Sequence, residues 1–330
     1  MATISCILCH HKGDFIYKAV ESIKQSINVT FEIIVVTSDD DLALKGIPGC
    51  YVINCYGGPA EKRNLGARGA KGEYLAFFDD DVEINKDCLE NFLKSGIDGM
   101  VFGKLYNMEH RNRFDEAGGF LTSTGFIWSR AGQNDIDSGQ YDYTCMILAG
   151  KSASCIIEAN VFHKVGGFDE DFWILGEETD LAWRVWLYGH DVRFKPNAVG
   201  YHAFNTKFKP VNEFYTSKRV HYNGCRNYIT MLIKNLEAHN LWKILPIHIL
   251  IWFTAGCIMC LTGKLKQGLN ILRGLAYVLV NLEYLLKKRK DVQEARVKLD
   301  SEIWPYIFRK APKGYYKQRF LRYLGTGLHG

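Results

Sequence analysis

The chain of 330 residues has no basic start followed by an apolar core. Met1-Ala-Thr-Ile enters a strand-like run at once, so a secretory signal is not expected and a cytosolic domain is. No internal repeat, low-complexity tract or glycine-serine linker appears. The cysteines lack the spacing of a disulfide framework or a zinc site. All ten are scattered through apolar strands and helices, where they read as reduced, buried thiols. Cys6 and Cys9 have CxxC spacing but lie three apart on a strand, so they point to opposite faces and hold no common metal. The sequon Asn28-Val-Thr30 has no use in a cytosolic domain. The formal net charge is +5, yet no nucleic-acid recognition motif accompanies it, which argues against that partner.

What the chain does have is an aspartate triplet, Asp79-Asp80-Asp81, at the end of the apolar run Tyr74-Leu-Ala-Phe-Phe78. Three acids stand where an interior strand surfaces, the place where open α/β sheets collect ligands. Hard oxygen donors suit Mg²⁺ or Mn²⁺, ions that keep open positions for phosphate oxygens. Upstream, Thr3–Leu8, Phe31–Val36 and Tyr51–Asn54 read as strands, and Ala19–Gln25 and Ala60–Ala70 as helices. Strands alternating with short helices predict an α/β, doubly wound, mostly parallel sheet of nucleotide-binding type.

The run from Pro59 to Val82, with Arg63-Asn64-Leu-Gly66 and Asp79-Asp80-Asp81-Val82, resembles a signature of family 2 glycosyltransferases, which have the GT-A fold. A second block resembles the same family: Val165-Gly-Gly-Phe-Asp-Glu-Asp-Phe172, Glu177-Glu-Thr-Asp-Leu-Ala-Trp-Arg184, Gly189, and Pro196 through His202. The resemblance covers residues 1–205 and is closest to rhamnosyl- and galactosyl-type transferases of cell-surface polysaccharides. It implies a metal-dependent transfer from a nucleotide-diphosphate sugar. Asp81 would be the direct metal ligand, Asp79 would reach the ribose or the metal, and His202 would be a third ligand. Asp80 completes the triplet, and Arg63 would lie beside the pyrophosphate. The loops after the first two strands, Cys9–Lys12 and Thr37–Asp41, depart from the family's pattern; there Asp39 is the candidate nucleotide contact. Residues 103–150 would form the acceptor side, together with Glu177 and with Trp173, whose flat face suits a pyranose.

The base can be argued from helix geometry. Over Glu177–Tyr188, positions 178, 181, 185 and 188 share a stripe, so Glu178 points inward with Leu181, Val185 and Tyr188. Glu177 would share a side with Asp180 and Arg184, an i,i+4 pair at or near the surface. Inverting transfer needs a carboxylate to take the acceptor's proton, and Glu178 is the candidate. The family usually has Asp at that position.

Charge divides the chain. Residues 1–205 carry about 19 basic and 29 acidic side chains, and 206–330 about 22 and 7. The expected organisation is a catalytic domain over 1–205, a helical connector over 206–240, membrane-associating helices over 241–286 and a basic tail from 287 to 330. Ile244–Leu261 is about long enough to cross a bilayer, and Leu269–Leu286 reads as one amphipathic helix lying in the plane. A hairpin on the cytoplasmic leaflet is favoured, because two crossings would put Lys264 and Lys266 on the far side. A dimer interface is the soluble alternative. The expected function is transfer of a sugar to a lipid-linked or growing glycan in cell-envelope synthesis. The alternatives are a sugar-nucleotide nucleotidyltransferase and a catalytically silent membrane scaffold.

Overall fold

The structure, a computed structural model, describes residues 3–94, 96–132, 135–203 and 218–324. Its first half begins with β1 (Thr3–His10), α1 (Phe15–Lys24), β2 (Thr30–Thr37), α2 (Asp40–Lys45), β3 (Tyr51–Asn54), α3 (Pro59–Gly69), β4 (Tyr74–Asp79) and β5 (Val82–Ile84). Then follow α4 (Cys88–Leu93), β6 (Gly99–Asn107), β7 (Phe114–Glu116), β8 (Gly119–Leu121), β9 (Ile127–Ser129), β10 (Cys145–Met146), β11 (Ser154–Glu158), α5 (Ala159–Lys164), α6 (Glu177–Leu187) and β12 (Asp191–His202). The main sheet runs β10-β12-β6-β11-β4-β1-β2-β3. Strands β3, β2, β1 and β4 are parallel, β6 and β12 are parallel to each other, β11 runs opposite to its neighbours β4 and β6, and the edge strand β10 runs opposite to β12. The doubly wound, mostly parallel sheet read from the sequence is therefore present.

Burial on both faces explains the apolar strands. Leu75, Ala76, Phe77 and Phe78 of β4 are buried, with alternate residues feeding two cores on opposite sides of the sheet. Helix α3 lies close on β1 because Gly66 has no side chain: a Cβ there would sit 2.5 Å from Ile7 Cγ2. Pro59 starts α3 without loss of a needed amide.

The segment 103–150, read as lacking periodicity, holds the end of β6, the short strands β7 to β10, and a separate hairpin of β8 with β9. Strands of two or three residues are defined by their partners, not by a local pattern. Helix α6 is a second departure. Almost every residue of it is buried, including Glu177, Asp180 and Arg184, so the expected surface pair is a core pair. Helix α7 (Lys218–Asn235) covers that side: Lys234 Nζ and Asn235 Nδ2 each donate to Asp180 at 3.0 Å, beside Arg184 Nε at 2.9 Å. Burial alone would raise the Asp180 pKa, and the Lys234 and Arg184 cations bring it below the usual range.

The first part of the expected connector, 206–217, lies outside the described residues. After α7 come α8 (Ala238–Leu261), α9 (Leu265–Val280), α10 (Leu282–Glu294), α11 (Asp300–Ile307) and α12 (Tyr315–Leu324). The leucine stripe over 269–286 is not one helix. The chain bends by 69° between α9 and α10, where Asn281 Nδ2 donates to the Tyr277 carbonyl and competes with the helix ladder. Among the described residues, α8 is one helix long and apolar enough to cross a membrane, and α9 with α10 passes the same test as a bent pair.

Candidate active site

Strand pairing assembles the site at the carboxyl end of the sheet. After the Asp79–Asp81 turn, β5 pairs with the last residues of β12 and sets Val82 opposite His202. Side-chain donors of Asp79, Asp81 and His202 thereby lie within 4.8 Å of one another. His202 Nε2 faces Asp81 Oδ1 at 3.4 Å, while its Nδ1 donates to Asp115 at 2.8 Å. Asp115 also accepts from Lys151 Nζ at 2.6 Å. Burial would lower the His202 pKa, but Asp115 and Asp81 outweigh it and carry it up to about 10. Two carboxylates and an imidazole oriented by a further carboxylate form a donor set that fits a divalent ion with positions left open.

The middle aspartate faces elsewhere. Asp80 accepts from His10 Nδ1 at 2.6 Å, so it braces the end of β1. Lys62 Nζ joins that corner through the His10 carbonyl, 2.6 Å, and Ser38 Oγ, 3.0 Å. Asp39 caps α2, accepting from the amides of Asp41 and Leu42. Both amides donate to Oδ1.

Arg63 is buried and bridges the two acidic groups. It donates to Asp79 at 2.8 Å and to Glu177 at 3.2 Å, and packs 5.3 Å from the Phe168 ring centre. Glu177, expected on the acceptor side, is buried and accepts from this arginine. Glu178 is half-buried. Desolvation, then the neighbouring Glu177, push its pKa well above the ordinary glutamate range. Arg63 lies in the combined field of Asp79, Glu177 and Glu178.

The Gly166-Gly167-Phe168 run holds this geometry. Asn64 clasps Phe168 through both of its backbone polar groups, at 2.8 and 2.9 Å, and Arg184 donates to the carbonyls of Val165 and Gly167. Gly167 has φ +65°, and a Cβ there would meet Asn64 Oδ1 at 2.8 Å. Helix α7 pins the next loop, because Asn227 Nδ2 donates to the carbonyls of Ile174 and Leu175. Trp173 is exposed on that loop and lies over Gly58 at the start of α3.

His10, Lys62, Asp115 and Lys151 were not singled out in the sequence. Nothing local marks them: Asp115 reaches His202 because β7 pairs with β6 and β6 with β12. A cavity of about 660 Å³ between α3, α5, α7 and α10 shares no residue with the metal donors or Glu178.

Fold and site together define a GT-A glycosyltransferase. Residues 3–245 match the family described as "Glycosyltransferase like family 2", and the chain belongs to it. Curated relatives include the pre-mycofactocin glycosyltransferase of Mycobacterium tuberculosis (strain CDC 1551 / Oshkosh), 26% identical over 163 residues. That match spans 46% of this chain and 31% of the relative, so less than a third of the relative's length. Among solved structures, S. aureus TarS 1–349 in complex with UDP-GlcNAc is similar with a TM-score of 0.52 and 17% identity, over 97% of this chain and 89% of that one. GalNAc-T7 with UDP, GalNAc and Mn²⁺ is similar with a TM-score of 0.51 and 15% identity, over 70% and 51% of the two chains.

Proposed function

We propose that the chain is an inverting, divalent-metal-dependent glycosyltransferase that uses a nucleotide-diphosphate sugar. The observation that carries this is the convergence of Asp79, Asp81 and His202 within 4.8 Å, with Arg63 paired to Asp79 and to Glu177, the residue before Glu178. Bound there, Mg²⁺ or Mn²⁺ would neutralise charge on the departing diphosphate. Asp81 and His202 would hold the ion, Asp79 would reach it or the ribose, and Asp115, which accepts from His202 Nδ1, fixes the ring.

Glu178 takes the acceptor hydroxyl's proton as that oxygen bonds to the anomeric carbon. The bond from that carbon to the phosphate oxygen breaks on the opposite face, and the nucleoside diphosphate leaves with its electron pair. A carboxyl with a raised pKa is a stronger base near neutral pH than an ordinary glutamate. Glu177 holds Arg63 in place for the pyrophosphate, and Trp173 offers a ring to the sugar. The acceptor in this reading is a lipid-linked or growing glycan at the cytoplasmic leaflet of the membrane, in cell-envelope synthesis.

The neighbours' ligands, UDP-GlcNAc in TarS and UDP with Mn²⁺ in GalNAc-T7, make uridine nucleotides the first arm of a test. A thermal-shift panel of UDP, GDP, dTDP and their sugars, with and without Mn²⁺, reads binding directly. One nucleotide should raise Tm strongly only with Mn²⁺. No shift with any of them would overturn the reading.

A further inference from the structure

The helical hairpin α8–α9 carries an apolar surface that the catalytic reading leaves unused. On α8, Trp242, Leu250, Phe253 and Leu261 are 51–86% exposed. Leu279 and Val280 at the end of α9 are 74% and 83% exposed. Trp242, Leu245, Pro246, Ile249, Leu250 and Phe253 border an apolar groove of about 630 Å³. An exposed patch of this kind marks an interaction site.

The opposite face of α8 is fixed. Ile244, His248, Trp252, Gly256 and Met259 are buried at helical spacing. His248 Nδ1 donates to the Thr124 carbonyl of the β8–β9 turn at 2.7 Å, and its Nε2 accepts from Trp252 Nε1 at 2.9 Å. The β8–β9 turn fits tightly beneath, since a Cβ on Gly125 would lie 3.0 Å from Ile244 and 3.1 Å from His248. Glycines also lock α8 to α9: a Cβ on Gly268 would fall 2.6 Å from the Gly256 carbonyl oxygen. To span a bilayer, α8 would have to abandon these contacts.

The charged residues of this stretch are nearly all cations. Lys243, Lys266, Arg273, Lys287 and Lys290 are exposed, Lys264 is half-buried, and Glu283 is the one acidic residue from 238 to 290. A second copy docked on this face by symmetry would set cations against cations, whereas an anionic leaflet complements them. Trp242 at one end of α8 is the residue type that sits at headgroup level.

We propose that the exposed face of the α8–α9 hairpin is an in-plane docking surface for an anionic lipid bilayer, with α8 parallel to the membrane and the catalytic sheet held outside it. This deepens the membrane placement in the proposed function and rests on that part of it alone. The test is co-sedimentation of the full chain with vesicles of phosphatidylcholine, with and without phosphatidylglycerol, in the absence of any sugar nucleotide.

The wild type should bind the mixed vesicles. The double substitution Leu250→Asp, Phe253→Asp should weaken binding by about tenfold or more while leaving Tm unchanged, because both side chains are exposed. Lys264→Glu with Lys266→Glu should lower only the part that depends on the anionic lipid. A fluorescent residue incorporated at position 250 should be quenched at shallow depth.

No binding by the wild type, or binding indifferent to the Asp pair, overturns the proposal. So does quenching at the bilayer centre, which means a span, or a dimer that the Asp pair dissociates, which means a second copy covers the face. Vesicle binding without sugar transfer would sink only the enzymatic reading, and the converse only this one.

Discussion

Glu178 has two properties that follow from one cause. Burial and the adjacent Glu177 favour its neutral form, so the same environment strengthens it as a base and costs stability when it is charged. Glu178→Gln should lower kcat by roughly 10²- to 10⁴-fold with donor binding retained, the contribution typical of a general base. In the wild type, kcat should rise with pH along a limb centred well above the ordinary glutamate pKa, and the variant's residual rate should lack that limb. Steady-state rates across pH read both.

Stability gives an independent check. A carboxyl whose folded pKa is raised contributes fully below its unfolded value, and the contribution is lost as pH climbs through the folded one. Glu178→Gln should therefore raise Tm more at pH 8 than at pH 5. The reverse order would contradict the burial argument.

Helix α6 shows how an element's neighbours decide the meaning of its residues. From the sequence, Asp180 and Arg184 make an i,i+4 pair of the kind found on surfaces; in the structure Asp180 is fully buried and holds Lys234 of α7 as well. Lys234→Met removes a cation from a buried carboxylate and should cost about 3–5 kcal/mol, read by denaturant unfolding. A loss under about 1 kcal/mol would mean that Asp180 is satisfied without it.

Elements with a strong local pattern were legible. The apolar runs of β1, β2, β3 and β4 and the helices α1 and α3 fall within a few residues of where the sequence pattern puts them, and so do the aspartates at the tip of β4, whereas α2 stands where only a loop was read. His202 was singled out through a family motif, and Glu178 through the helix stripe together with one. Strands β7 to β10 were not visible, because their definition lies in pairing across long stretches of chain. For the same reason the partners Asp115, Lys151 and His10 could not be named in advance. The break at Asn281 was missed because a leucine stripe carries no information about where the backbone turns.

At the scale of the molecule, the acidic and basic halves share one core. Met231, Leu232 and Leu236 from the region of α7, and Ile303 and Ile307 of α11, pack in the same cluster as Phe77, Trp183 and Trp186. The boundary at residue 205 therefore follows charge composition and cuts through packing. A fragment ending at residue 205 would expose this apolar surface and leave Asp180 buried without Lys234. It should be recovered in aggregates, and a soluble, cooperatively melting fragment would show that the two halves are separate folding units.

The proposed reaction turns on a divalent ion at Asp79, Asp81 and His202. Pulsed electron paramagnetic resonance of Mn²⁺ bound with the nucleoside diphosphate selected by the thermal-shift panel tests it most directly. The wild type should show a ¹⁴N coupling from a directly coordinated imidazole, and His202→Gln should lose it while still folding to the same Tm within a few degrees. A wild-type spectrum with Mn²⁺ bound and no such coupling would remove His202 from the metal site.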